Sequence, residues 1–460
     1  MKRKLHFRTR NTLKLSNRLR LVYSGVILSA LIVSGWLVYL NFTKPKTGYA
    51  SDQSPLIDFS WKRKIQFADQ LIQSNEVLTD FPLLIHIRDS EFRSIKYGGK
   101  VIHPNGYDIR FTKSDEKTLL PSQIDSYNPQ TGELAVWVLL DSLSAKSNKD
   151  LTIFYSNATI RSEFPSILWN GLYRGIWHMN NLHASNNRKF IATSLGTNEY
   201  EGKIGKARLF EASRNDAAFF PSSNDFNLIN NFSFSAWIKL NELGREQVVI
   251  SNEDGISGGY KFFISKNNKL DIEFIDVSGK HISISQTSEG IALEKDKWYF
   301  ISGIYSMKES SLITYLNGKV DRKLFIIESP GSSQSGLQIG RELNNNQSYF
   351  NGIIDEVRIS AEAFNETRFA AEYKNQLFSE KLFKVFNSEK IDISTISLKR
   401  NKAGINELNA LETSNQENAN NLHAKKFYLS NQAPGTLTSS IEALQSRMDY
   451  IRRVSNENLE

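Results

Sequence analysis

The stretch NFSFSAWIKL, Asn231–Leu240, alternates Phe232, Phe234, Ala236, Ile238 and Leu240 against Ser233, Ser235, Trp237 and Lys239. Alternate residues of a strand share a face, so this period predicts a strand with one side in a core. The runs KFFIS, KLDIEFI, HISIS, KWYFISGIY, SLITYL, LFII and GLQIG follow in the same style. Asn317-Gly318, inside TYLNGKVDRKL, is the strongest short hairpin signal and predicts a tight turn. Many short strands with regular turns predict an all-β jelly roll over residues 166–386. A smaller all-β domain is read over 59–165 from FPLLIHIRD, YDIRFTKSD, ELAVWVLLD and DLTIFYSNA, divided by YGGK, HPNG and NPQTG.

The jelly-roll pattern closes on GIIDEVRISAEAFNETRFAAEYKN, Gly352–Asn375, a strand running into a helix. The helix is expected over 365–377, with Asn365 as its cap and Phe369, Tyr373 and Leu377 on one face. Regular alternation puts Asp355 in a row with Ile353, Val357 and Ile359, and turns Glu356 to the other side. On that reading the two acids are no dyad. A carboxylate in an apolar row needs a partner. The expected role of Asp355 is a structural pin, with calcium ligation second and acid catalysis third.

The net charge of +8 has a definite location. Residues 1–20 carry Lys2, Arg3, Lys4, Arg8, Arg10, Lys14, Arg18 and Arg20 and no acid, so the remainder is neutral and gives no reason to expect nucleic-acid binding. Residues 21–43 carry no charge, and at ~1.5 Å rise per residue they can cross a ~30 Å hydrocarbon core. A transmembrane helix is expected there, with a basic cytoplasmic tail before it and the rest outside. A cleaved signal peptide ending at Ala50 is the rival, but the apolar run is longer than a usual signal core. Residues 44–58 read as a linker. Beyond 386 the composition turns to Asn, Ser, Lys and Glu, and 387–436 is expected to be disordered. Ile441, Leu444, Met448 and Ile451 predict a short amphipathic helix over 437–456. The chain has no cysteine, which excludes disulfides and thiol catalysis.

Two segments resemble known families. Trp61-Lys62-Arg63-Lys64-Ile65, Gly106-x-Asp108-Ile109-Arg110-Phe111, Leu120-Pro121, Val136-Trp137-Val138 and Phe154-Tyr155-Ser156-Asn157-Ala158 resemble a prokaryotic envelope module, domain of unknown function 2341. That family usually has Tyr-Gly-Asn where this chain has Tyr155-Ser156-Asn157, and often a Glu where Gln123 stands. GIWHM, FSFSAWI, KWYFISGIY, TYLNGK, IGRE and NGIIDEVRIS resemble laminin-G-like jelly rolls of the concanavalin A-like class. The resemblance implies a cell-envelope protein of the bacterial inner membrane with its β domains periplasmic or extracellular. It implies recognition of a glycan or another envelope protein. The first alternative is a glycoside hydrolase or lyase of the same class. The second is a scaffold beside an energy-transducing proton-channel complex, since such pairs of modules also occur there.

Asp271 and Glu273, in KLDIEFIDVSG, share a strand face and are the nearest approach to a pair of glycosidase carboxylates. The third acid that the β-sandwich glucanases carry is missing, since Ile275 stands there, and the plain expectation is a solvated strand face. Glu253 and Asp254 in SNEDG and Asn344 in RELNNNQS are oxygen-rich loop positions, so calcium is the one cofactor considered. Ordinary turn chemistry explains the same residues. Trp237, opposite the Phe232/Phe234 row, is the candidate for stacking a sugar ring. His178 in GIWHM is expected to be a packed strand residue. No zinc-hydrolase, nucleophile-elbow or phosphate-loop spacing is present.

Overall fold

The computed structural model describes most of residues 56–391. Residues 1–55 and 392–460, the stretches 68–70, 147–149, 164–167, 187–189 and 344–347, and the single positions 57, 73, 170, 288 and 380 are outside the described residues. The expected anchor at 21–43, the amphipathic helix at 437–456 and most of the Asn-rich tail fall outside them. Among the described residues, no helix is long and apolar enough to cross a membrane.

The first domain is a sandwich of two antiparallel sheets. One sheet runs Phe383–Lys390, Trp61–Phe67, Asp150–Tyr155, Arg110–Lys113, Leu119–Leu120; the other runs Leu78–Arg88, Glu133–Leu143, Ser122–Asn128. Ile65, Phe111 and Ile153 of the first sheet meet Phe81, Leu83, Ile85, Val136 and Val138 of the second in one core. FPLLIHI and LAVWVLL read as nearly continuous apolar runs because the second sheet is covered on both sides. Its outer residues Leu84, Ala135, Trp137 and Leu139 pack against Leu168, Trp169, Tyr173, Ile176 and Ile204.

The jelly roll has two larger sheets. One is ordered Asn198–Glu201, Lys206–Phe210, Gly352–Ser360, Asn231–Leu240, Trp298–Ser306, Ser311–Leu316, Lys319–Phe325, with Tyr173–Trp177 also pairing Gly352–Ser360. The other is ordered His281–Ser283, Leu270–Ile275, Tyr260–Ile264, Gln247–Ser251, Gln338–Ile339, Ala217–Phe219, Thr193–Leu195. Phe232, Phe234, Ala236 and Ile238 face Tyr260, Phe262, Ile272 and Phe274 in the core between the sheets. Asn317 and Gly318 take φ of 53° and 75°, the left-handed pair that a two-residue hairpin needs.

Two expectations need correction. The boundary drawn at 386 falls inside the strand Phe383–Lys390, which pairs antiparallel with Trp61–Phe67. This strand belongs to the first domain, so the jelly roll is inserted within it. Its residues are mostly half-exposed and polar, which hid it in the Asn-rich composition. The second correction concerns Gly352–Ser360. Trp237 opposes Asp355 and Ser235 opposes Arg358, so Ala236 faces two residues, Glu356 and Val357. This is a β-bulge, and Glu356 carries its positive φ of 50°. Beyond the bulge the alternation shifts by one. Ile354, Val357 and Ile359 face the core, while Asp355, Glu356 and Arg358 face the first domain.

The helix Glu366–Leu377 covers the outer face of the larger sheet. Phe369 packs with Trp237, Phe300 and Tyr315, and Tyr373 and Leu377 lie against the same cluster. Asn365 caps it by accepting from Arg368 N–H at 3.0 Å. The helix also grips the first domain. Arg368 donates to the carbonyls of Thr79 (3.0 Å) and Asp80 (3.1 Å). Asn375 Oδ1 accepts from Leu84 N–H (2.7 Å) and its Nδ2 donates to Leu84 O (2.8 Å). Asn375→Ala strands a buried donor and a buried acceptor and is expected to cost about 2–4 kcal/mol, read as a lower midpoint in urea with an unchanged slope.

Candidate functional site

Three places on the chain gather chemistry. The first is the buried junction of the two domains. A bulge between Ile124 and Ser126 projects Asp125 from the first domain, and the bulge at Glu356 projects two acids from the second. His178 follows the strand Tyr173–Trp177 and lies between them. Its Nδ1 is 2.7 Å from Glu356 Oε1 and 3.6 Å from Asp125 Oδ1. Donor atoms of Asp125, His178 and Glu356 all lie within 4.8 Å of one another, a spacing that could hold a metal ion. Arg358 Nη2 donates to Glu356 Oε2 at 2.9 Å. Its guanidinium lies over Trp137, 4.4 Å from the ring centre, and over Trp169 at 5.1 Å. The His178 ring stacks on Trp137 at 5.9 Å and 16°.

Asp355 is the neighbour of this cluster. Its Oδ2 accepts from the backbone N–H of Lys203 (2.8 Å) and Ile204 (2.9 Å), so it pins the loop between two strands. A Cβ on Gly202 would lie 2.7 Å from that oxygen, and one on Gly205 would lie 2.6 Å from Asp125 Oδ2. Only glycine lets this loop pass so close to both aspartates. Asp108 is built alike in the first domain, accepting from Ile102 N–H (2.8 Å) and His103 N–H (3.0 Å). Burial pushes Asp125 up to about 7 and Asp355 well above the usual carboxylate range, with the Glu356 charge adding to the latter. At Glu356 burial works the same way, but His178 and Arg358 outweigh it and hold the carboxyl low. Burial opposes charge on His178, yet Glu356 and Asp125 outweigh it and raise its pKa. Asp355 and Glu356 thus interact on one side of the sheet, contrary to the expectation from regular alternation.

The second place is the outer face of the smaller-strand sheet of the jelly roll. Asp271 is buried there and accepts from Arg322 Nη2 at 2.6 Å, and Arg322 also donates to Leu270 O. Glu273 lies 2.8 Å from His281 Nδ1 and 3.7 Å from Lys261 Nζ. The solvated face expected for Asp271 is therefore covered, and both carboxylates lie in networks of buried or half-buried charge: Asp271 and Asp321 on Arg322, Glu273 on His281 and Lys261. Lys261 is further ringed by Glu246 at 3.5 Å and Glu342 at 3.4 Å. Glu253 is 1% exposed, and neither carboxylate oxygen has a hydrogen-bond partner in the protein. Burial pushes its pKa well up, against the pull of Lys261.

The third place is a cluster of loop tips on the jelly roll. Gly259 N–H donates to Gly331 O (3.1 Å) and Gly331 N–H to Ile275 O (2.8 Å). Asp276 bridges Pro330, and Lys280 Nζ meets Glu328 at 3.0 Å. These bonds bring together three loops whose tips are Ile256, Val277 and Ile327, exposed at 80%, 82% and 80%. Asp254 belongs to the first of them. Its Oδ1 accepts from Ile256 N–H (3.0 Å), Ser257 N–H (2.8 Å) and Gly258 N–H (3.2 Å). Burial is the largest single influence and pushes the carboxyl up, but the Ser257 hydroxyl and these amides together outweigh it and hold the carboxyl well below its usual range. Its oxygens shape their own turn, so Asp254 acts as a turn pin and Glu253 points away into the sheet. Asn344 is outside the described residues. Trp237 is 1% exposed and donates Nε1–H to Gln376 at 2.6 Å, so the helix covers the ring proposed for sugar stacking.

Sequence reasoning missed Asp125 altogether and set His178 aside. Both owe their place to bulges and to the docking of two domains, which no local period reports. The glycine pair in EGKIG was the one local signal of a close backbone approach.

Two expectations about stability follow. Asp271→Ala removes the nearer of the two carboxylates on buried Arg322, leaving Asp321 at 3.5 Å, and is expected to cost about 3 kcal/mol, whereas loss of an exposed catalytic acid would leave the urea midpoint unchanged. Glu253 has a raised folded pKa, so the native state keeps a proton that the unfolded chain releases above its ordinary carboxylate pKa. Stability from this group is present at acidic pH and lost as pH rises. The variant Glu253→Gln is expected to gain on the wild type between pH ~5 and pH ~8, checked by urea denaturation at both.

Residues 105–164 match the model of the Domain of unknown function (DUF2341), and residues 211–368 match that of the Concanavalin A-like lectin/glucanases superfamily. No curated protein matches the chain. Among solved structures, the binding domain of Paraclostridial Mosquitocidal Protein 1 is similar at 18% identity and a TM-score of 0.37, covering 44% of this chain and 51% of that one. Domain 4 of AbnA, an extracellular arabinanase from Geobacillus stearothermophilus solved with arabinotriose, is similar at 15% identity and a TM-score of 0.37, covering 43% and 96%. The Botulinum Neurotoxin serotype G binding domain stands at 18% and 0.35, covering 44% and 51%. The chain spans about half the length of the two toxin domains. It carries a DUF2341 domain followed by a concanavalin A-like domain.

Proposed function

We propose that this is a membrane-anchored envelope protein whose paired β domains recognise a glycan or another envelope protein without turning it over. The observation that carries the reading is the cluster of Ile256, Val277 and Ile327 on three hydrogen-bonded loops. Loops held on a rigid sandwich are a common recognition surface, and apolar side chains gathered at their tips favour contact with an apolar partner. Phe325, exposed at 72%, stands two residues from Ile327 and adds an aromatic face on which a sugar ring or an apolar side chain can stack. Against hydrolysis stand the two candidate acids, Asp271 bonded to Arg322 and Glu273 placed beside His281 and Lys261. The uncharged run 21–43 after a basic tail supports the inner-membrane anchor, with the β domains outside.

The test uses the full-length chain in detergent, offered to a glycan array and to solubilised envelope proteins, with and without calcium. Saturable binding without released product is expected. The variant carrying Ile256→Asp, Val277→Asp and Ile327→Asp is expected to lose about tenfold or more, since each buried aliphatic side chain contributes ~1.5–3 kcal/mol. Released sugar, abolished by Asp271→Asn with the fold intact, overturns the reading in favour of the hydrolase. Unchanged binding by the triple variant removes the loop cluster from it. Co-purification with a proton-channel complex, without either kind of ligand binding, turns it into the scaffold reading.

A further inference from the structure

We propose that the domain junction is a site for a divalent transition-metal ion of the zinc class, held by His178, Asp125 and Glu356. The His178 Nδ1 to Glu356 Oε1 and Asp125 Oδ1 distances are 2.7 and 3.6 Å. Two ligands of a tetrahedral zinc with ~2.0–2.1 Å bonds stand ~3.3 Å apart, between those values. One imidazole nitrogen with two carboxylate oxygens suits zinc or a neighbouring first-row ion, and it does not suit calcium, which takes oxygen ligands.

Burial supplies an independent argument. The side chains of Asp125, His178 and Glu356 are 2%, 4% and 1% exposed, and Arg358 faces both Glu356 at 2.9 Å and Glu372 at 3.7 Å. Oxygens are also available. Asp125 Oδ2 and Asp355 Oδ1 have no hydrogen-bond partner in the protein, and neither does His178 Nε2. Arg358 occupies Glu356 Oε2 and leaves Oε1 on the His178 side. Two outer contacts of such a site are in place: Trp137 stacks on the imidazole and Arg358 orients the carboxylate. Since one ligand comes from the first domain and two from the second, the ion would join them as a clasp.

The junction is buried, so the ion is supplied during folding. The full-length chain is unfolded in denaturant with chelator, then refolded with zinc or cobalt(II) and desalted. One equivalent of zinc retained per chain is expected, with the intense visible absorption of four-coordinate cobalt in the cobalt form. Asp125→Asn keeps the shape of its side chain and is expected to weaken cobalt binding by on the order of 100-fold, with His178→Gln abolishing the absorption. The near-ultraviolet circular dichroism of the stacked tryptophans shows whether each variant has folded. Folded wild-type protein that holds no metal above background overturns the proposal. So does a folded Asp125→Asn variant that holds cobalt as the wild type does, because the ion is then elsewhere. These readouts do not depend on any glycan or protein ligand, so their failure leaves the recognition reading standing.

Discussion

The molecule turns on one residue of backbone. Glu356 sits in a β-bulge with φ of 50°, in the middle of the strand that pairs with Asn231–Leu240, Lys206–Phe210 and Tyr173–Trp177. Without the extra residue, Asp355 would share a face with Val357 and Ile359 and enter the apolar core. With it, the apolar side chains go inward and Asp355, Glu356 and Arg358 all face the first domain. A left-handed conformation at a residue with a side chain costs of order 1–3 kcal/mol. The hydrogen bonds of Asp355 to Lys203 and Ile204, and of Glu356 to His178 and Arg358, offset that cost.

The junction around this bulge is built from both classes of force. Trp137, Trp169, Tyr173 and Ile176 exclude water, and that exclusion strengthens each charge contact inside. The two tryptophan faces receive the Arg358 guanidinium, which keeps a cation where an aliphatic residue would otherwise pack. The helix Glu366–Leu377 closes one side, with Arg368 and Asn375 reaching the first domain. The two β domains therefore behave as one body through polar contacts that are buried and paired as well as through apolar area.

Much of the fold was legible. The alternation of NFSFSAWIKL gave the strand, Asn317-Gly318 gave its hairpin turn, and Asn365 gave the helix start. These signals are local, so a window of sequence contains them. The strand Phe383–Lys390 was not legible, because FKVFNSEK gains its partner only from Trp61–Phe67, far away in the chain. Asp125 was not legible for a related reason: QIDSYN reads as an ordinary strand, and its bulge appears only in the pairing with Glu133–Leu143. The role of Asp355 was readable in outline, since a buried carboxylate must be hydrogen-bonded. The partners and the side of the sheet were not, because a bulge inverts the parity on which any strand reading depends. Trp237 shows the same limit. Its strand face was right, but what covers that face comes from the helix.

The insertion of one domain inside the other also orders events in time. Trp61–Phe67 is made early, and its edge partner Phe383–Lys390 emerges only after the whole jelly roll. Until then a nascent chain carries an open strand edge, and such edges recruit other strands. The jelly roll draws its sheets from residues made between those two strands and can mature first. A chain that stops before Phe383 therefore has every strand of its larger domain and lacks the edge strand of its smaller one, so a sensor of free sheet edges would report whether synthesis had passed Lys390.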